Sequence, residues 1–154
     1  MNIKRLNILL ADDDKDDRFF FEMALEALTV PPLLTTVADG EKLMNYLTEN
    51  VHQLPDVLFL DLNMPRKNGF ECLSEIKQNT DLKQLPVVIF STSFEQEVVN
   101  QLYLNGAHYY MRKPAEFSHL KKIIKLTVSL ITEERGLQPI RDKFVLTVEN
   151  SLVV

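Results

Sequence analysis

The chain has 154 residues, 45% of them hydrophobic and 25% charged, with a formal net charge of −5. That length suits one compact domain with its own core and is short for two. The acidic balance and the absence of a dense basic run argue against a nucleic-acid binder or a polybasic membrane patch, which leaves an acidic, cytoplasmic protein as the expectation.

The opening stretch MNIKRLNILLAD meets an aspartate after too short an apolar run for a signal peptide. No segment reaches the roughly eighteen consecutive apolar residues of a membrane span. From there, short apolar runs alternate with amphipathic stretches, the rhythm of βα units around a parallel sheet. Strands are predicted at Leu6 to Ala11, Leu33 to Val37, Val57 to Leu60, Val87 to Phe90 and Tyr109 to Met111. Helices are predicted at Lys15 to Leu28, Glu41 to Glu49, Gly69 to Asn79, Phe94 to Asn105 and Glu116 to Glu133.

Local signals set several of these boundaries. Ser93 followed by Gln96 fits a capping box opening the fourth helix, and Gly106 stands where a glycine closes it. Pro86 marks the entry to the fourth strand, where a missing N–H costs least. The lone Cys72 has no internal partner and no reactive motif around it, so an inert helix position is expected. In the fifth helix, Leu120, Ile123, Ile124, Thr127, Val128 and Ile131 fall on one face, and Leu126 and Leu130 widen that stripe. The domain is drawn over 1–134. The remaining 135–154, entered through Gly136 and Pro139, is read as a tail in which KFVLTV forms an extended segment docked on this body or a neighbour's.

Ligands of an open parallel sheet gather at the carboxyl ends of its strands. There the first strand ends in Asp12 and Asp13, the third in Asp61, the fourth in Ser91, and the fifth leads to Lys113. Each group alone has an ordinary explanation: a cap, a turn, a solvated ammonium. Their joint placement at one edge suits phosphoryl transfer to a carboxylate, with oxygen ligands holding Mg²⁺ and with Lys113 and Ser91 facing the phosphoryl oxygens.

Together LLADDD, DLNMPRKNG, PVVIFSTS and GAHYYMRKP resemble the receiver domain of two-component response regulators, over about residues 5 to 132. The resemblance implies an α/β, flavodoxin-like, doubly wound fold: five parallel strands in the order 2-1-3-4-5 with helices on both faces. It also implies Asp61 as phosphoacceptor. Asp13 becomes the direct Mg²⁺ ligand, Asp12 a ligand through water, and the Asn63 backbone carbonyl the last protein ligand. Ser91 and Lys113 match the family's hydroxyl and lysine, and Tyr110 its switch aromatic. Asp14, Asp16 and Asp17 are left as first-turn acids of a solvated helix. Lys15 stands where many members have proline, Ser91 where threonine is common, and Thr92 is larger than the alanine often found there. The implied function is a single-domain switch that takes its phosphoryl group from a sensor histidine kinase or histidine phosphotransfer protein and acts through protein contacts. PRKNG and the tail also resemble phytochrome-associated regulators, which often pair as homodimers.

Three rival readings fit the acidic run less well. An EF-hand fails because its sixth and twelfth positions would be Asp17 and Met23 rather than glycine and glutamate. A haloacid-dehalogenase-like phosphatase, with Asp12 as nucleophile and Asp14 as acid, leaves DLNMPRKNG unexplained. A degenerate receiver serving only as a binding module does not need the full set of acids, hydroxyl and lysine.

Overall fold

Alternation along the apolar strands decides which side chain meets which layer. In the computed structural model, which describes residues 5–134 and 137–148, the chain runs β1 (Asn7–Ala11), α1 (Lys15–Glu26), β2 (Leu33–Val37), α2 (Gly40–Glu49), β3 (Val57–Leu60) and α3 (Gly69–Gln78). It continues with β4 (Val87–Ser91), α4 (Gln96–Leu104), β5 (Tyr109–Arg112), α5 (Phe117–Glu134), a 3₁₀ turn (Arg141–Lys143) and β6 (Val145–Leu146). Leu9, Leu58, Leu60, Val87, Ile89 and Tyr110 point into one core with Leu43, Leu47, Leu73, Ile76, Val99 and Leu102 of α2, α3 and α4. Their neighbours Ile8, Leu10, Val57, Phe59, Val88, Phe90 and Met111 point into the other, against α1 and α5. Strands β1, β3 and β4 are thus covered on both faces, which is why they read as nearly unbroken apolar runs.

The expected five-stranded sheet is a six-stranded one, in the order β2-β1-β3-β4-β5-β6. The first five positions agree with the expected order. The sixth strand comes from KFVLTV, which pairs parallel to β5 with Tyr110 opposite Val145 and Met111 opposite Leu146. A sequence shows that a segment favours extension but not which edge it joins. Phe144, just before β6, is fully buried and packs its ring edge-on to Tyr103 of α4, 5.1 Å between centroids. The junction expected at 134/135, with Gly136, falls on residues outside those described, as does the end of the tail at 149–154.

The predicted capping box of α4 is not formed. The helix begins at Gln96 with Glu95 at its N-cap and no side-chain cap bond. Ser93 is engaged elsewhere: its N–H donates to Ser91 Oγ at 3.2 Å, and its carbonyl accepts the Tyr110 hydroxyl. Asn68 and Glu71 do form a reciprocal capping box, at the start of α3. Gly106 closes α4 with φ +97°, the left-handed conformation expected of a terminating glycine. In α5, Leu126 and Leu130 are half-buried and pack on the core, so the wider stripe is a wider buried face. Among the described residues no helix is long and apolar enough to cross a membrane.

Candidate functional site at the carboxyl ends of the strands

Strand register assembles the site. Ala11 pairs with Leu60, the last residues of β1 and β3, so Asp12 and Asp61 emerge side by side. The Asp61 N–H donates to Ala11 O at 2.9 Å and the Asp12 N–H to Val37 O at 3.1 Å, pinning both backbones to the sheet. On the other side Ser91 pairs with Arg112, and the Lys113 N–H donates to Ser91 O at 2.8 Å. Two acids and an ammonium are therefore carried one step beyond β1, β3 and β5, and the Ser91 hydroxyl stands on the last residue of β4 between them.

Side chains complete the arrangement. Asp12, Asp13 and Asp61 each offer a carboxylate oxygen, and these lie within 4.8 Å of one another. Asp12 and Asp61 are buried, whereas Asp13 is exposed at the mouth. Lys113 Nζ lies 2.8 Å from Asp12 Oδ2, 2.8 Å from Asp17 Oδ2 and 3.7 Å from Asp61 Oδ1, with the Phe90 ring beneath it at 4.9 Å. Burial pushes the Asp61 carboxyl up to about 7, helped by the charges of Asp12 and Asp13 and opposed by Lys113 and the Asn63 N–H. Burial raises Asp12 too, against its hydrogen bond with Lys113. For Lys113 burial acts downward, but its hydrogen bonds to Asp12 and Asp17 and the charges of Asp12 and Asp61 together outweigh it and hold the ammonium above the ordinary lysine value.

Three clustered acids with one cation between them form an incompletely neutralised site. An all-oxygen donor set of this kind fits a hard divalent cation, which would relieve both the burial penalty and the mutual repulsion. The following loop is tight: a Cβ on Gly69 would lie 2.4 Å from the Asp61 carbonyl oxygen, so only glycine lets α3 start this close to the acid.

Asp17 is the residue that sequence reasoning missed. It was expected to be a solvated first-turn acid, yet its carboxylate holds Lys113. Asp14 has a purely local part, capping α1 by accepting from the N–H groups of Asp16 and Asp17. An acid so used and exposed is not poised as the general acid of a phosphatase. Tyr110 is fully buried with its hydroxyl on the Ser93 carbonyl, and the Phe94 ring lies edge-on at 6.0 Å. Cys72 is buried and its thiol is pushed up to about 12 by that burial, which makes it inert as expected.

Comparison with known proteins gives the same reading. Residues 8–125 match the family model of the response regulator receiver domain. The response regulator Rcp1 of Synechocystis is 34% identical over 122 residues, covering 77% of this chain and 83% of that protein. A probable methanogenesis regulatory protein, FilR2 of Methanothrix harundinacea, is 31% identical and covers 77% and 78%. Among solved structures, the phosphorylated cyanobacterial phytochrome response regulator RcpA superposes with a TM-score of 0.77 at 36% identity, covering 85% of this chain and 96% of its own. The Mn²⁺-bound form of Rcp1 superposes with a TM-score of 0.72 at 31% identity, covering 86% and 99%. Fold, strand-end chemistry and relatives converge, and the chain belongs to the response regulator receiver domain family.

Proposed function

We propose that Asp61 is the phosphoacceptor of this receiver and that Asp12, Asp13, Asp61 and the Asn63 backbone carbonyl hold Mg²⁺ beside it. Receiver domains take their phosphoryl group from kinases or phosphotransfer proteins, and a phosphohistidine of a sensor histidine kinase or phosphotransfer protein is the donor that fits here. An Asp61 oxygen attacks phosphorus as the P–N bond breaks. The electron pair leaves with the imidazole, which is protonated, and an aspartyl phosphate forms. Bound Mg²⁺ supplies the positive charge that phosphoryl oxygens need as they approach the acids. Lys113 binds one equatorial oxygen and the Ser91 hydroxyl donates to another. Water later attacks phosphorus and releases phosphate, restoring Asp61, so the chain turns over only its own phosphoryl group and no separate substrate.

The observation that carries this reading is the convergence of three carboxylate oxygens within 4.8 Å, with the Lys113 ammonium 3.7 Å from Asp61. Acetyl phosphate with Mg²⁺ should add one phosphoryl group to the wild type and none to Asp61→Asn, read by intact mass. An unchanged mass shift in the variant would remove Asp61 as sole acceptor and make Asp12 the nucleophile to test.

Output then passes through α4, β5 and α5 to a protein partner, in the cytoplasm and without DNA binding. A homodimer belongs to the same proposal. The apolar side chains offered to a second copy are Leu104, Leu137 and Ile140, 80%, 73% and 64% exposed. Tail and α4 are tied together there, because Gln138 Nε2 donates to the carbonyls of Tyr103 and Ala107 at 2.7 and 2.8 Å. Symmetric pairing would cover such a patch on both copies. Light scattering of the full chain with and without beryllofluoride, beside Leu137→Asp, tests it: a monomer in every sample rejects the dimer, and salt-sensitive binding to random duplex DNA rejects protein-only output.

A further inference from the structure

Lys113 carries three N–H donors on one ammonium, and the structure accounts for two of them. One meets Asp12 Oδ2 and one meets Asp17 Oδ2, both at 2.8 Å, whereas Asp61 Oδ1 stands at 3.7 Å, outside hydrogen-bonding range. The two anchors differ. Asp12 belongs to the proposed metal set, so its oxygens are shared with the cation. Asp17 lies in no such set, and its helix holds it in place: Asp14 caps α1 and accepts the Asp17 N–H at 3.0 Å, while the Asp14 N–H donates to Asp12 Oδ1 at 2.9 Å. Lys113 is equally confined, with its side chain 9% exposed and its ammonium above the Phe90 ring.

We propose that Asp17 is a positioning residue: it anchors the Lys113 ammonium from the α1 side, so that the remaining donor is directed at the phosphoryl group on Asp61. This rests on the receiver reading and deepens it. A lysine has a flexible stem and a compact charge, and without a fixed second acceptor its head samples several rotamers. Holding it before the phosphoryl group arrives removes that ordering cost from the transfer step. Asp17 touches neither phosphoryl group nor cation and acts through Lys113 alone.

The test compares Asp17→Ala, Asp17→Asn and Asp16→Ala, each as the full chain with saturating Mg²⁺, for phosphorylation by acetyl phosphate followed by intact mass. Asp16 sits in the same helical turn and is exposed, so its removal reports the loss of one charge without the loss of a lysine contact. Asp17→Ala should lower the maximal rate about five- to tenfold below Asp16→Ala, leaving the half-saturating acetyl phosphate concentration the same in both. Asp17→Asn keeps an oxygen acceptor at the same place and should recover part of the loss. On a Lys113→Met background, Asp17→Ala should add nothing beyond Asp16→Ala.

Equal maximal rates for Asp17→Ala and Asp16→Ala overturn the inference, as does a full effect persisting without Lys113. A variant that loses rate only through a raised half-saturating concentration also overturns it, because that is repulsion of the donor and not placement of the lysine. The outcomes separate the two levels of the argument. A wild type that takes no phosphoryl group defeats the receiver reading itself, whereas a wild type that is phosphorylated on Asp61 with indifferent Asp17 variants defeats only the role of Asp17.

Discussion

Two edges of the same sheet are held by opposite means. At the carboxyl ends of β1 and β3, acids are buried against the cost of desolvation, with Lys113 as their cation. At the outer edge of β5, the tail is held by a buried ring and by hydrogen bonds to neutral acceptors. Phe144 fills the core, Tyr110 N donates to Phe144 O at 3.0 Å, and the Tyr103 hydroxyl donates to Pro139 O at 2.8 Å. Arg141 adds a bond to Asn100 Oδ1 at 2.9 Å and lies over the Phe144 ring. The first region stores unfavourable charge that a cation and a phosphoryl group will reorganise. The second has its polar groups satisfied and gains by staying as it is. The difference separates a site built to change state from a strap that stabilises one state.

The largest effect expected from this contrast is on the strap. Phe144→Ala should cost about 3–5 kcal/mol of stability, because a fully buried aromatic is replaced by a cavity between α4 and β5. Phosphoryl loading of the protein that remains folded should be little changed, since no strap residue lies among the acids. Urea unfolding and intact mass on the same sample would measure both. A loss below about 1 kcal/mol would mean that the tail is only loosely attached.

The acid end should respond to pH in the opposite sense from a salt-bridged carboxylate. The Asp61 carboxyl titrates at about 7 in the folded protein against 3.8 for an unperturbed aspartate. The folded state therefore binds the proton more tightly, and ionisation costs stability that grows as pH rises from 3.8 to about 7. In metal-free buffer, lowering the pH from 8 to 5 should raise the stability attributable to this group, by on the order of 3 kcal/mol. Asp61→Asn should flatten the profile, and saturating Mg²⁺ should do the same in the wild type. A wild-type profile already flat without metal would show that the acid is better solvated than its burial implies.

A smaller effect distinguishes acids within one run. Asp13 belongs to the three-carboxylate cluster and Asp16 does not. Asp13→Asn should weaken Mg²⁺ binding by at least about tenfold, and Asp16→Asn by no more than about twofold, since an exposed charge in the helix acts only through screened attraction. Calorimetric titration of the two variants decides it, and equal losses would reduce the cluster to a diffuse acidic patch.

The strands covered on both faces were legible because their burial leaves no room for polar residues. Val57 to Leu60 and Val87 to Phe90 read as strands without any knowledge of their partners. The strand-end residues followed from the same reading, since register in a parallel sheet places neighbouring ends together. Three things were not legible, each because its partner lies far along the chain. The Ser93 carbonyl accepts the hydroxyl of Tyr110, seventeen positions on, which holds Ser93 in the loop ahead of α4 and not at its N-cap. The edge that KFVLTV joins depends on the pocket that Tyr103 makes for Phe144. Asp17 looked like a solvated acid because Lys113 is 96 residues away.

Tyr110 is where the two regions meet, and it gives the smallest expected effect. Its ring lies in the core, its backbone pairs with the strap, and its hydroxyl bonds the Ser93 carbonyl in the loop that follows Ser91. Burial raises the phenol above its ordinary value. Tyr110→Phe keeps the packing and removes the hydroxyl, so it should cost only about 1 kcal/mol, the net worth of one neutral hydrogen bond plus a carbonyl left to find water. Its sharper signature should be local. Amides of residues 93–95 should exchange faster than in the wild type, while those of β6 should not, because the strap bonds the Tyr110 backbone and not its side chain. If β6 loosened as well, the hydroxyl would be supporting the strap through the strand, and the division between a responsive edge and a fixed one would have to be abandoned.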